Sequence, residues 1–123
     1  MADMDRQEPS DTALVRAARA NPDAFCALYD RNVKPLLAWL LSQTGDVEVA
    51  MDLVAETFAI ALRSLTSFRG ERPASGRAWL YGIALRLLLR HRETALLERK
   101  TRARLRVSRA LKTLREALQG DAT

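Results

Sequence analysis

A chain of 123 residues is long enough for one compact domain, and 48% hydrophobic residues with only 6% aromatics bias it toward helix over strand. A net charge of +5 and a pI near 10.1 suit an anionic partner, and the charge is unevenly placed: residues 1–62 carry 5 Lys or Arg against 10 Asp or Glu, residues 63–123 carry 15 against 5. The single cysteine excludes an intrachain disulfide and fits a cytoplasmic location, no stretch reaches the roughly 18 apolar residues of a membrane span, and the lone His91 has no Cys or His cluster around it to hold a metal.

Residues 1–10 are polar and read as a flexible N-terminus. Ser10 or Asp11 caps a first helix whose apolar positions are Ala13, Leu14, Ala17 and Ala18. Asn21-Pro22-Asp23 restarts the chain as a second helix over about 22–43, since Asn caps, Pro suits the first turn and Asp complements the helix dipole. Phe25, Leu28, Tyr29, Leu36, Leu37, Leu40 and Leu41 are its expected core, Cys26 is expected to be a small buried side chain, and Pro35 is expected to kink or divide it. Gly45 ends this helix and Asp46 caps the next.

The third helix, about 46–65, has the clearest periodicity. Ala50, Leu53, Val54, Phe58, Ala61 and Leu65 form one buried stripe. Glu48, Asp52 and Glu56, at i, i+4 and i+8, share the opposite face; like charges at this spacing repel mildly, which suits a helix made to meet a basic surface or, equally simply, water. The stretch 66–76 is dense in Gly, Pro and Ser and reads as a flexible loop. It places Phe68 and Arg69 beside Gly70, with Arg72 and Arg77 nearby, an arrangement able to stack on an exposed base and pair with phosphates. The other reading of Phe68 is a plug that holds the loop to the core.

A fourth helix from near Arg77 to Arg92 carries Trp79, Leu80, Ile83, Leu87 and Leu88 as core, with Arg86, Arg90 and Arg92 on a basic edge. A last helix over about 96–118 has Val107, Ala110, Leu111, Leu114 and Leu118 on one face, and Gly120 is expected to stop it. Its Arg102, Arg106 and Arg109 form a further basic edge, suited to phosphate contact or to plain solvation. The expected fold is therefore all-α: a compact bundle of four to five helices over 11–93, followed by a basic C-terminal helical tail over 94–123. With no phosphate-binding Gly loop, no metal-ligand cluster and no Ser/His/Asp set, the sequence implies neither an enzyme nor a cofactor.

Four segments carry a family resemblance. Residues 46–58, Asp-Val-Glu-Val-Ala-Met-Asp-Leu-Val-Ala-Glu-Thr-Phe, resemble the A-E-D-L-V-Q-E-T-F signature of bacterial sigma factors of the extracytoplasmic-function (ECF) group. Residues 11–19 and 24–29 resemble that group's opening helices, and Arg77-Ala-Trp-Leu-Tyr-Gly-Ile-Ala resembles its W-L-x-x-I-A segment. The resemblance implies a sigma region 2-like helical domain that docks on the clamp helices of the largest subunit of core RNA polymerase and reads and opens the promoter −10 element. It assigns Glu48, Asp52, Leu53, Glu56 and Arg63 to polymerase contact. It implies that the 66–76 loop captures a flipped base of the −10 element and that the helix from 77 contacts the same element, which makes Phe68, Arg69, Arg72, Arg77, Arg86, Arg90 and Arg92 the expected DNA-binding residues. Met51 and Ala55 depart from the Glu and Gln usual in the signature, and Leu85-Arg86 stand where Arg-Asn is common. Residues 104–118 resemble the last helix of the group's region 4, but the helix-turn-helix core before it is largely missing, so −35 recognition in the usual manner is not expected. The alternative is a sigma-like regulatory module that binds polymerase or an anti-sigma factor without initiating transcription.

Overall fold

Capping chemistry sets every early boundary in the chain. The structure, a computed structural model, describes residues 8–121. Ser10 accepts a hydrogen bond from the amide of Ala13 (3.1 Å) and opens α1, Asp11–Ala18. Asn21 accepts from Asp23 N (3.0 Å) and opens α2, Pro22–Thr44, with Pro22 in its first turn. Gly45, at φ 66°, ends α2 in the left-handed conformation that glycine adopts freely, its N–H donating to Leu41 O (2.8 Å). One residue later Asp46 accepts from Glu48 N (2.9 Å) and Val49 N (3.3 Å) and opens α3, Val47–Arg63. A 3-10 helical turn, Leu65–Ser67, then leads by an irregular stretch into α4, Ser75–Asp121.

The chain divides into two units, one ending at Leu88 and one beginning at Leu89. In the first, Leu36 and Leu40 of α2, Ala50, Leu53, Val54, Phe58 and Ala61 of α3, and Leu80, Ile83, Ala84, Leu87 and Leu88 of α4 form one core cluster. A second cluster joins Leu14, Val15 and Ala18 of α1 to Ala24 and Leu28 of α2 and to Leu65 and Phe68. Phe25 packs against both, its ring edge-on to Phe58 at 6.3 Å. In the second unit nearly every side chain is exposed, leucines included.

Several expectations need correction. α1 buries Leu14, Val15 and Ala18 together with Asp11 and Thr12, whereas Ala13 and Ala17 are exposed. Tyr29, at 42% exposure, covers the Phe58 ring (4.8 Å) from outside, and Leu41 and Cys26 are also exposed. Pro35 does not divide α2: it sits on the exposed side, where the carbonyl of Arg31 that it leaves without an amide partner can be hydrated. The fourth and fifth predicted helices are one, because no Gly or Pro occurs between Ile83 and Gln119 and the intervening residues are mostly strong helix formers; Gly120 lies inside the helix it was expected to stop. Of the predicted flexible N-terminus, residues 1–7 lie outside the described residues, while Glu8 and Pro9 are held by Arg31, which pairs with the Glu8 carboxylate (3.4 Å), donates to Pro9 O (2.6 Å) and meets Asp11 Oδ1 at 3.0 Å.

Gly76 is the tightest point of this unit. A Cβ there would lie 2.5 Å from the carbonyl carbon of Asp11 and 2.6 Å from the amide nitrogen of Thr12, so the first turn of α4 meets the first turn of α1 at backbone distance. Neither helix backbone can yield a few tenths of an ångström cheaply. Gly76→Ala is expected to lower stability by about 1–3 kcal/mol or more, read as a drop in the thermal midpoint by circular dichroism. An unchanged midpoint would mean that α1 and α4 do not meet there.

Candidate functional site

Two exposed surfaces of the first unit hold the residues that the sequence singled out. The first is the outer side of α3. Since Ala50, Leu53, Val54, Thr57, Phe58 and Ala61 face inward, the 100° step per residue turns Glu48, Asp52, Glu56 and Arg63 outward within an arc of about 80°. All four are exposed. Beside them runs an apolar strip: Met51 is 56% and Leu62 54% exposed, with Ala55 and Ala59 between them also at the surface. The face is therefore an acidic row along an uncovered hydrophobic ridge, ending in the cation Arg63. Leu53 does not belong to it. At 7% exposure it points into the core, because it stands about 140° around the helix from Glu48. Thr57, fully buried, satisfies its hydroxyl on Leu53 O (2.6 Å) and leaves the inner face free of unmet polar atoms.

The second surface is the stretch from Leu65 to Arg77. Its composition predicts flexibility, yet α1 holds it by side chains. Arg19 donates to Leu65 O (3.0 Å) and Phe68 O (2.8 Å), and Arg16 donates to Gly70 O. The buried Thr12 hydroxyl donates to the carbonyl of Arg72, lies 3.2 Å from that of Pro73, and accepts from Gly76 N–H at 2.8 Å. Carbonyls that a loop would otherwise offer to water are thus met by three residues 46–61 positions away in the chain. The sequence reading missed Thr12, Arg16 and Arg19; nothing local marks them, since their partners are backbone carbonyls and an amide whose position depends on the fold.

Phe68 is the anchor of this stretch and not its exposed tip. It is 4% exposed, its ring 5.4 Å from that of Trp79, and a Cβ on Gly70 would strike that ring at 2.5 Å. The Phe68 ring is thus covered by protein, as the plug reading expects. Arg69, Arg72 and Arg77 are exposed around it. Arg69 folds back onto Thr66 O (2.6 Å), which gives its guanidinium a defined origin while leaving donors free, and Arg77 lies 5.3 Å from the centroid of the Tyr81 ring. Tyr81 in turn packs on Trp39 (5.7 Å). Arg86 is also exposed, its Nε on Gly82 O at 3.3 Å, but nine residues place it about 180° around α4 from Arg77, so the two do not share a face. Arg90 and Arg92 belong to the second unit.

Arg19 is a positioning residue here. Arg19→Met keeps the helix former and the aliphatic stem but removes both carbonyl contacts, and faster amide hydrogen exchange is expected over 65–72 with α3 unaffected. Unchanged protection there would mean that Phe68 alone holds the stretch.

Residues 28–95 match the family described as Sigma-70 region 2. The chain is 42% identical over 62 residues to RNA polymerase sigma factor YlaC of Bacillus subtilis (strain 168), an alignment covering 50% of this chain and 35% of that protein. It is 36% identical over 76 residues to ECF RNA polymerase sigma factor BldN of Streptomyces coelicolor, covering 62% of this chain and 28% of that protein. The chain thus spans about a third of the length of the curated relatives it matches. No solved structure matches it.

Proposed function

Since this chain belongs to the Sigma-70 region 2 family, we propose that it is a transcription initiation factor that binds core RNA polymerase through the outer face of α3 and recognises and opens the promoter −10 element with the stretch before and into α4. The observation that carries this reading is the acidic, partly apolar face of α3, exposed and backed by a packed core. A row of Glu48, Asp52 and Glu56 along Met51 and Ala55 suits a basic helical partner with an apolar seam of its own, the chemistry of a coiled coil such as the clamp helices. The departures at Met51 and Ala55 add apolar contact area on that face and shift docking from polar contacts toward hydrophobic burial. Arg63 contributes a donor at the end of the row. Leu53 supports the face from its buried side.

For DNA, Arg69, Arg72 and Arg77 supply donors suited to phosphates around a loop braced from α1, and Arg86 supplies one on another side of α4. Phe68 holds the loop in place from below. Opening needs no covalent chemistry: unstacking a base costs a few kcal/mol, which phosphate contacts and a shaped pocket offset. Binding to the polymerase places the protein in the cytoplasm, and among the described residues no helix is long and apolar enough to cross a membrane.

The test is binding of the chain to core polymerase, followed by fluorescence from a base probe within the −10 element. Asp52→Lys with Glu56→Lys is expected to weaken polymerase binding by about tenfold or more while the thermal midpoint stays put, because both side chains are exposed. Undiminished affinity would remove α3 from the interface. Arg69→Gln and Arg72→Gln are each expected to reduce the salt slope of −10 binding by about one unit; a flat response would return both to solvent. Polymerase binding without base opening would favour the regulatory module over the initiation factor.

A further inference from the structure

The second unit carries the densest charge in the molecule, and the −10 reading uses almost none of it. From Arg99 to Arg115 the chain has eight Lys or Arg and no Asp or Glu. This run lies wholly within α4 and is exposed throughout. Helical spacing arranges it. Arg99, Arg102, Arg106 and Arg109 follow one another at steps of three, four and three and fall within an arc of about 80°. They rise over about 15 Å of helix axis. Among the described residues none of these four makes an ion pair within the chain. Four cations stacked at this pitch repel one another, so the helix alone gains nothing from the ridge.

We infer that this arginine ridge is a sequence-independent DNA-binding surface that grips the phosphate backbone. A duplex presents one negative charge per ~1.7 Å of its axis, so four guanidinium groups spread along ~15 Å each find separate phosphates. The choice of arginine matches: six of the eight cations in the run are Arg, whose planar fork meets phosphate oxygens in pairs. An anionic membrane surface fits less well. The apolar residues Val107, Leu111, Leu114 and Leu118 lie about 130° around the helix from the ridge, and Lys100 falls on the same side as these apolar residues. No Phe, Tyr or Trp occurs after Tyr81 to seat such a helix among lipid headgroups. The ridge carries affinity without sequence preference. The first unit then supplies the preference for the −10 element, so the two contributions separate experimentally.

The experiment measures the full chain by fluorescence anisotropy on a labelled duplex containing no −10-like sequence, across a potassium chloride series, against Arg102→Gln/Arg106→Gln/Arg109→Gln. Glutamine is a good helix former, and circular dichroism checks that helix content is kept. The slope of log affinity against log salt is expected to become shallower by about 2–3 units, and affinity at about 0.1 M salt to fall by about two orders of magnitude. Equal slopes for the two proteins would overturn the inference. So would binding to phosphatidylserine vesicles that depends on the three arginines while duplex affinity does not. A second duplex bearing the −10 element keeps this apart from the proposed function. Loss of the −10 preference with the slope effect intact would sink that function and leave the ridge, and the reverse result would do the opposite.

Discussion

Where the first turn of α4 crosses the first turn of α1 there is room for a hydrogen atom at Gly76, and a methyl group would strike backbone on the other side. That contact lets the Thr12 hydroxyl reach across and join three backbone groups of the 72–76 stretch in one buried hydrogen-bonded knot. Without it, the buried amide of Gly76 would lose its partner, and the part-buried carbonyls of Arg72 and Pro73 would turn to water. Arg16 and Arg19, one and two turns further along α1, extend the same logic to Gly70, Phe68 and Leu65. A sequence stretch rich in turn-forming residues becomes a shaped surface because a short helix from the far end of the chain supplies its hydrogen bonds. The position of Arg69, Arg72 and Arg77 follows from that bracing.

Burial and exposure divide the α3 helix into two faces. Its inner side, from Ala50 to Ala61, is filled by α2 and α4. Its outer side keeps Met51 and Leu62 at the surface next to three carboxylates, the face on which the proposed docking rests. The uneven charge of the whole chain then takes spatial form. The acidic excess of the first half includes the outer row of α3, and the basic excess of the second half lies in the loop before α4 and along α4 itself.

Leu53 and Phe68 mark the limit of reading roles from a motif. Both stand inside segments that the family resemblance ties to partners, and both are buried, at 7% and 4% exposure. A linear signature mixes residues that touch a partner with residues that hold the element in place. For Leu53 the helical angle sets it at the edge of the inner face, about 40° from Thr57, and its burial at 7% exposure completes the distinction. For Phe68 no periodicity applies, because the residue lies outside any regular helix. Its burial rests on Trp79 and on the α1–α2 contact beneath it.

Most of the features legible in the residue order depend on neighbours within a turn or two, although the local signals at Pro35 and Gly120 pointed the wrong way. The caps at Asn21 and Asp46, the left-handed Gly45 and the inner stripe of α3 were all legible, because each arises from hydrogen bonds or spacing spanning at most about eight residues. The continuity of α4 past Glu93 was legible in principle, since no Gly or Pro occurs between Ile83 and Gln119, and amphipathic periodicity was the poorer guide. The bracing of the 65–76 stretch, the inward Phe68, the outward Tyr29 and Cys26, and the roles of Thr12, Arg16 and Arg19 emerge only once the helices pack. Those outcomes depend on backbone groups brought together from 46 to 64 residues apart. Hydrogen bonds to a distant main chain carry no signature in side-chain order, because every residue supplies the same carbonyl.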